Sequence, residues 1–142
     1  MSIVPGTEKR LRAVVIDDDC DSRMLLATFL RNAGFGVRDF ERADEALREI
    51  RESGAEVIVT DLQLPESSGT ELARALRRDP STTHVAIVAL TGQVDPDWEI
   101  VRHFDAYLRK PFDPTLLPPL LSTLAAAAEA ARARFGRDSS SQ

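Results

Sequence analysis

Short apolar runs alternate with longer amphipathic stretches along the chain. Runs rich in Val, Ile, Leu or Ala occur at 12–17, 57–61, 85–90 and 106–109, with a shorter and more polar one at 36–40. Runs of this length and composition read as strands, most of them buried on both faces. Between them the apolar spacing changes to that of helices. One helix is expected at 21–33, with Met24, Leu25, Leu26, Phe29 and Leu30 as its inward stripe and Gly34 as its stop. A second is expected at 43–53, with Ala46, Leu47 and Ile50 inward, and a third at 70–78, stopped by Asp79-Pro80. A short helix is expected after Asp95-Pro96, and a last one carries 125–135. Strand–helix alternation of this kind predicts right-handed crossovers and a doubly wound α/β fold around a parallel sheet.

Four of the runs end in polar residues: Asp17-Asp18-Asp19, Asp61, Thr91-Gly92 and Lys110-Pro111. In an open parallel sheet, ligands bind beyond the carboxyl ends of the strands. The pattern therefore gathers carboxylates, one hydroxyl and one ammonium at a single edge, a set suited to a divalent cation and a phosphoryl group. Adjacent carboxylates repel unless a cation lies among them, and Mg²⁺ favours one or two carboxylates plus a phosphate. The other reading of the acidic run is a solvated loop that caps the first helix. Asp61 is either a phosphoryl nucleophile or a turn residue before Pro65 and Gly69. Thr91 is a phosphoryl-oxygen donor or part of a Thr-Gly turn. Lys110 is a counter-charge to phosphate or a surface lysine, and the Lys110-Pro111 bond is a candidate cis peptide. Each plain reading stands alone; four together, at helix-length spacing, are a poor accident.

Composition adds limits. Of 142 residues, 43% are hydrophobic and 29% charged, enough for one domain with a core. The formal charge of −5, with basic residues scattered among acids, argues against nucleic acid as a partner. Cys20 is the only cysteine, which excludes an internal disulfide and a cysteine metal cluster. No apolar stretch is long enough to span a bilayer and no secretory signal opens the chain, so no membrane contact and a cytoplasmic location are expected. The expected organisation is a flexible leader at 1–10, a domain at 11–124, and a helical extension with a disordered tail at 125–142.

The segments Val-Ile-Asp-Asp-Asp at 15–19, Thr-Asp-Leu-Gln-Leu-Pro-Glu-Ser-Ser-Gly at 60–69, Ala-Leu-Thr-Gly at 89–92 and Asp-Ala-Tyr-Leu-Arg-Lys-Pro-Phe at 105–112 resemble the receiver domain of two-component response regulators. The resemblance implies five parallel strands in the order 2-1-3-4-5, with helices on both faces. It implies Asp61 as phosphoacceptor. Asp17 and Asp18 would form the acidic pair at a Mg²⁺ site, Asp18 the more direct ligand, with Asp61 and the Gln63 backbone carbonyl completing it. Thr91 and Lys110 would bind the phosphoryl group, and Tyr107 would turn inward as Thr91 moves. Gln63 and Gln93 would flank the attacking water in dephosphorylation; as amides, they would not repel it. The implied partners are a sensor histidine kinase or phosphotransfer protein and a downstream protein not named by the sequence, with a weak homodimer left open.

The implied role is a signalling phosphoacceptor rather than an enzyme, and the short polar end predicts output by protein contact. Alternatives are a receiver module of a hybrid kinase or phosphorelay and a phosphate-independent scaffold. The complete set of site residues argues against the scaffold. A metal-dependent hydrolase would want a second acid where Gln63 stands. Two departures from the family pattern affect the usual output face. The stretch from Thr91 to Lys110 is about one helical turn short, so its helix is expected over about 96–103, with Trp98 and Phe104 as its anchors; Trp98 reads either as core packing, the favoured reading, or as an exposed partner contact. Pro118-Pro119 lies inside the expected last helix, which predicts either a kink or a helix start near Pro118.

Overall fold

The computed structural model describes residues 10–64, 68–92 and 101–140. In chain order they form β1 (Arg12–Ile16), α1 (Cys20–Asn32), β2 (Gly36–Phe40), α2 (Ala43–Ser53), β3 (Val57–Asp61), α3 (Gly69–Arg78), β4 (Ala86–Thr91), β5 (Ala106–Arg109), a 3₁₀ turn (Pro114–Leu116) and α4 (Leu117–Ser140). The strands make one sheet in the order β2-β1-β3-β4-β5, with all four pairings parallel. The expected fold class and strand order are both present.

Alternate residues of the inner strands feed two separate cores, as the two-residue side-chain period requires. Ala13, Val15, Val57, Val59, Val88 and Leu90 face α1 and α4, where Leu26, Leu30, Leu117 and Leu121 cover them. Val14, Ile16, Ile58 and Ile87 face α2 and α3, meeting Ala46, Ile50, Leu72 and Leu76. Both faces of β1, β3 and β4 are thus dry, which explains their nearly continuous apolar sequence. Each fully buried Leu or Ile contributes about 1.5–3 kcal/mol relative to exposure.

Helix ends follow local chemistry. Asp19 caps α1 by accepting the Ser22 N–H at 3.0 Å. Gly34, at φ 101°, closes it: its N–H reaches the Arg31 carbonyl and the Phe35 N–H reaches Leu30. The apolar stripe of α1 is narrower than expected. Leu26, Ala27 and Leu30 are buried, but Met24 and Leu25 are 58% and 62% exposed. The contact with the sheet is centred on Leu26 and Leu30, and at 100° per residue Met24 and Leu25 turn away from it.

At Pro118-Pro119 the helix-start alternative holds. Asp113 caps the 3₁₀ turn by accepting the Thr115 N–H at 3.0 Å. A new helix then begins at Leu117, so both prolines fall in its first turn, where their missing N–H groups have no intrahelical partner to lose. The helix continues to Ser140, past the expected end at 135; Ala and Arg favour helix strongly enough to carry it through Gly136. The expected short helix at 96–103 falls largely outside the described residues, as do Gln93 and Trp98. Phe104 is described and packs against the core under α2 and α3.

Candidate functional site

The carboxyl edge of the sheet brings the predicted groups together. Asp17 follows β1, while Asp61 and Thr91 end β3 and β4. Lys110 follows β5, its N–H donated to the Thr91 carbonyl at 2.7 Å. The Lys110–Pro111 peptide is cis. Lys110 Nζ lies 3.0 Å from Asp61 Oδ2 and 3.6 Å from Asp17 Oδ2. Carboxylate oxygens of Asp17, Asp18 and Asp61 lie within 4.8 Å of one another. Asp17 is fully buried, Asp61 half-buried and Asp18 exposed.

The electrostatics of this cluster are uneven. Asp17 Oδ1 accepts the Asp19 N–H at 3.0 Å, but Oδ2 has no hydrogen-bond donor. Burial raises the Asp17 carboxyl above its usual range, against the opposing pull of the Asp19 N–H and Lys110, and the charges of Asp61 and Asp18 add to the rise. For Lys110, burial disfavours the charge, but the hydrogen bond and charge of Asp61, then Asp17, outweigh it, and its pKa is raised. A buried acceptor without a donor is costly in a finished core. Beside two more carboxylates it is an oxygen available to a hard cation, so these residues fit Mg²⁺.

The remaining predicted residues, apart from Gln93, which lies outside the described residues, take definite places. Thr91 is buried at the end of β4. Tyr107 is 44% exposed on β5. Gln63 has an exposed side chain; its N–H points toward Asp61 Oδ1 at 3.4 Å, and it bridges to Ser68 across the loop. Ser68 caps α3 through the Glu71 N–H at 3.1 Å. Gly69 begins α3 with its N–H on the Leu62 carbonyl. A Cβ there would collide with the Asp61 carbonyl oxygen and lie 3.2 Å from the Leu62 Cα. Glycine at 69 is therefore what lets α3 start against the loop that follows Asp61.

Several contributors had no local signal in the sequence. Arg23 donates to the Asp17 carbonyl at 2.8 Å and pairs with Asp39 at 3.3 Å. Asp105 accepts the Ile87 N–H at 2.7 Å and pairs with Arg77 at 2.9 Å. Arg77 also donates to the Thr83 and Val85 carbonyls, which ties α3 to the starts of β4 and β5. His84 and His103 line one cleft of about 360 Å³ at the opposite edge of the sheet.

The family model for the response regulator receiver domain matches residues 13–121. The protein described as DNA-binding response regulator MtrA, from Mycobacterium tuberculosis, is 33% identical over 105 residues, 74% of this chain and 46% of that protein. The chain thus spans about half the length of the curated relatives it matches. A CheY-like receiver domain from Methylobacillus flagellatus superposes with a TM-score of 0.74 at 28% identity, covering 82% of this chain and 99% of that one. The response regulator protein TrrA from Thermotoga maritima, solved in complex with Mg²⁺ and BeF, gives 0.72 at 26% identity, covering 80% and 98%. The name of MtrA gives no support to the charge-based expectation that nucleic acid is excluded, though that name describes the whole protein. No helix among the described residues is long and apolar enough to cross a membrane.

Proposed function

Because this chain belongs to the response regulator receiver domain family, we propose that it takes a phosphoryl group from a partner's phosphohistidine onto Asp61 and signals by protein contact in the cytoplasm. The partner is a sensor histidine kinase or phosphotransfer protein. The observation that carries the reading is the convergence of Asp17, Asp61 and Lys110, with a buried Asp17 oxygen left for a cation.

In the step itself, an Asp61 carboxylate oxygen attacks phosphorus in line. The O–P bond forms as the P–N bond to the donor imidazole breaks, and the imidazole leaves with the bonding pair. Phosphoryl transfer asks the protein chiefly for position and charge neutralisation. Lys110, already 3.0 Å from Asp61, moves its charge onto the phosphoryl oxygens. Thr91, at the end of the adjacent strand, donates its hydroxyl to one of them. Asp17, Asp18, Asp61 and the Gln63 carbonyl would hold Mg²⁺, which supplies neutralisation of the phosphoryl charge when bound. That TrrA was solved with Mg²⁺ and BeF, a stand-in for a phosphoryl group, supports a cation and a phosphoryl group as the ligands of such a domain.

The acyl phosphate carries about −2 at neutral pH, about one charge more than the carboxylate it replaces, and brings new acceptor oxygens. Thr91 and Tyr107 respond by shifting inward, which changes the surface around β5 and α4. Coupling of this kind is typically about 1–3 kcal/mol, a shift in populations rather than a new fold. Gln63 and Gln93 flank the water that later hydrolyses the acyl phosphate.

Intact mass after incubation with acetyl phosphate, with and without Mg²⁺, tests the reading. One phosphoryl adduct that needs Mg²⁺ and is absent from Asp61→Asn is the expected result. A folded protein that forms no adduct with acetyl phosphate or with a panel of phosphorylated kinases would replace this reading with a phosphate-independent scaffold. Steady loss of donor without adduct would point to a hydrolase.

A further inference from the structure

Asp17 presents four polar atoms, and three are held by fixed partners. Its N–H donates to the Phe40 carbonyl at 3.1 Å. Its Oδ1 accepts from the Asp19 N–H. Its carbonyl accepts from Arg23 Nη1 at 2.8 Å. Only Oδ2 is left to the cluster of carboxylates and Lys110. Of the three restraints, the Arg23 bond alone comes from a side chain.

We propose that Arg23 is a positioning residue for the cation site, fixing the Asp17–Asp18 peptide so that the two carboxylates converge on Mg²⁺. The inference rests on the reading of this edge as a Mg²⁺-dependent phosphoacceptor site.

The warrant is covalent geometry. The Asp17 carbonyl oxygen and the Asp18 Cα share one peptide plane. Pinning the oxygen therefore pins the Cα from which the exposed Asp18 side chain reaches in. Arg23 can hold that plane because it is itself held. Its side chain is only 15% exposed, and its Nε pairs with Asp39 Oδ1 on β2 at 3.3 Å. Asp39 sits opposite Val15 in the β1–β2 register, on the side that faces α1. The guanidinium thus spans from the first turn of α1 to both strands, joining two acceptors with one planar fork. An ammonium is a point charge on a flexible stem and does not reproduce that two-point geometry. Arg31 also pairs with Asp39, at 3.3 Å, but is half exposed and makes no contact with Asp17.

Metal sites depend on such outer partners: their loss typically weakens metal binding by about 10–100-fold. The test is a Mg²⁺ titration of the unphosphorylated full chain, followed by backbone amide shifts around Asp18 and Asp61, with a thermal melt as the check on folding. Arg23→Ala is expected to raise the Mg²⁺ dissociation constant about tenfold and Arg23→Lys to restore little of it. Arg31→Ala, which removes the other partner of Asp39, is expected to leave it unchanged. Unchanged Mg²⁺ affinity in Arg23→Ala would overturn the proposal. So would full rescue by Arg23→Lys, which would assign the effect to charge alone, or an equal loss in Arg31→Ala, which would assign it to general loosening of β2. If Arg23→Ala does not fold, Arg23→Lys and Arg23→Gln carry the comparison. A wild-type chain that binds no Mg²⁺ would instead overturn the underlying reading together with this one.

Discussion

At Asp17 a carboxylate sits fully inside the protein with one oxygen unmatched, and the cost of that arrangement can be measured. Because burial raises its pKa, the folded chain holds this proton more tightly than the unfolded chain. From the ordinary carboxylate range up to the raised value, stability must therefore fall as pH rises. Asp17→Asn, assayed in chelator, is expected to melt higher than wild type at neutral pH by about 1 kcal/mol, with the gap closing in acid. Equal melting at neutral pH would contradict the account. Asp79, stabilised as an anion first by the Ser81 N–H, and Asp113, held first by the Thr115 hydroxyl, behave in the opposite sense. Their lowered pKa values add stability above the usual carboxylate range, and it is lost as pH falls through them. Gly69 gives a second residue-scale test. Gly69→Ala places a methyl group against the Asp61 carbonyl, so either α3 or the loop after Asp61 must move. A loss of about 1–3 kcal/mol in denaturant melts, with slower adduct formation at Asp61, is the expected outcome.

Among the elements, α3, β4 and β5 are joined by Arg77 and Asp105 rather than by apolar contact alone. Arg77 reaches three carbonyls, of Thr83, Val85 and His103, and a carboxylate, and Asp105 holds the Ile87 N–H. Truncating one partner leaves part-buried acceptors unmet. Arg77→Ala is expected to cost about 2–4 kcal/mol while the Mg²⁺ affinity stays the same, because the clip lies at the edge away from Asp61. Urea melts and a Mg²⁺ titration read the two quantities separately. Elements also show where sequence reasoning reaches its limit. The inner strands were legible because both of their faces are buried and because their polar ends are adjacent in sequence to the apolar runs. Arg77 and Asp105 lie 28 positions apart, Arg23 and Asp39 16, and no periodicity links such pairs. Met24 and Leu25 misled because an apolar residue on a helix is evidence of burial only once the facing element is known. Pro118-Pro119 left two outcomes because local rules forbid a proline inside a helix without saying on which side the helix lies.

For the whole molecule, a ligand that binds only the folded state shifts the unfolding equilibrium by mass action. Mg²⁺ at about one hundred times its dissociation constant is expected to stabilise the wild type by about 2.7 kcal/mol, and Asp18→Ala, which lacks an exposed carboxylate of the set, by much less. Thermal melts against Mg²⁺ concentration check this, and equal shifts in both proteins would place the ion elsewhere. The fold class and strand order followed from the alternation and the family resemblance together, and the edge where Asp17, Asp61 and Lys110 meet followed from the polar ends of the strands. The two-core construction needed the register of the sheet.

The position of Pro118-Pro119 has a mechanical consequence. Only Phe112, Asp113 and a 3₁₀ turn separate the Lys110–Pro111 corner from Leu117, and the prolines prevent the helix from winding further back to absorb a displacement there. The 24 residues of α4 make a rod about 36 Å long. A tilt of about 3° at its root would sweep the tip through about 2 Å, so the helix is geared as a pointer, with its pivot beside the lysine and its scale at the far end.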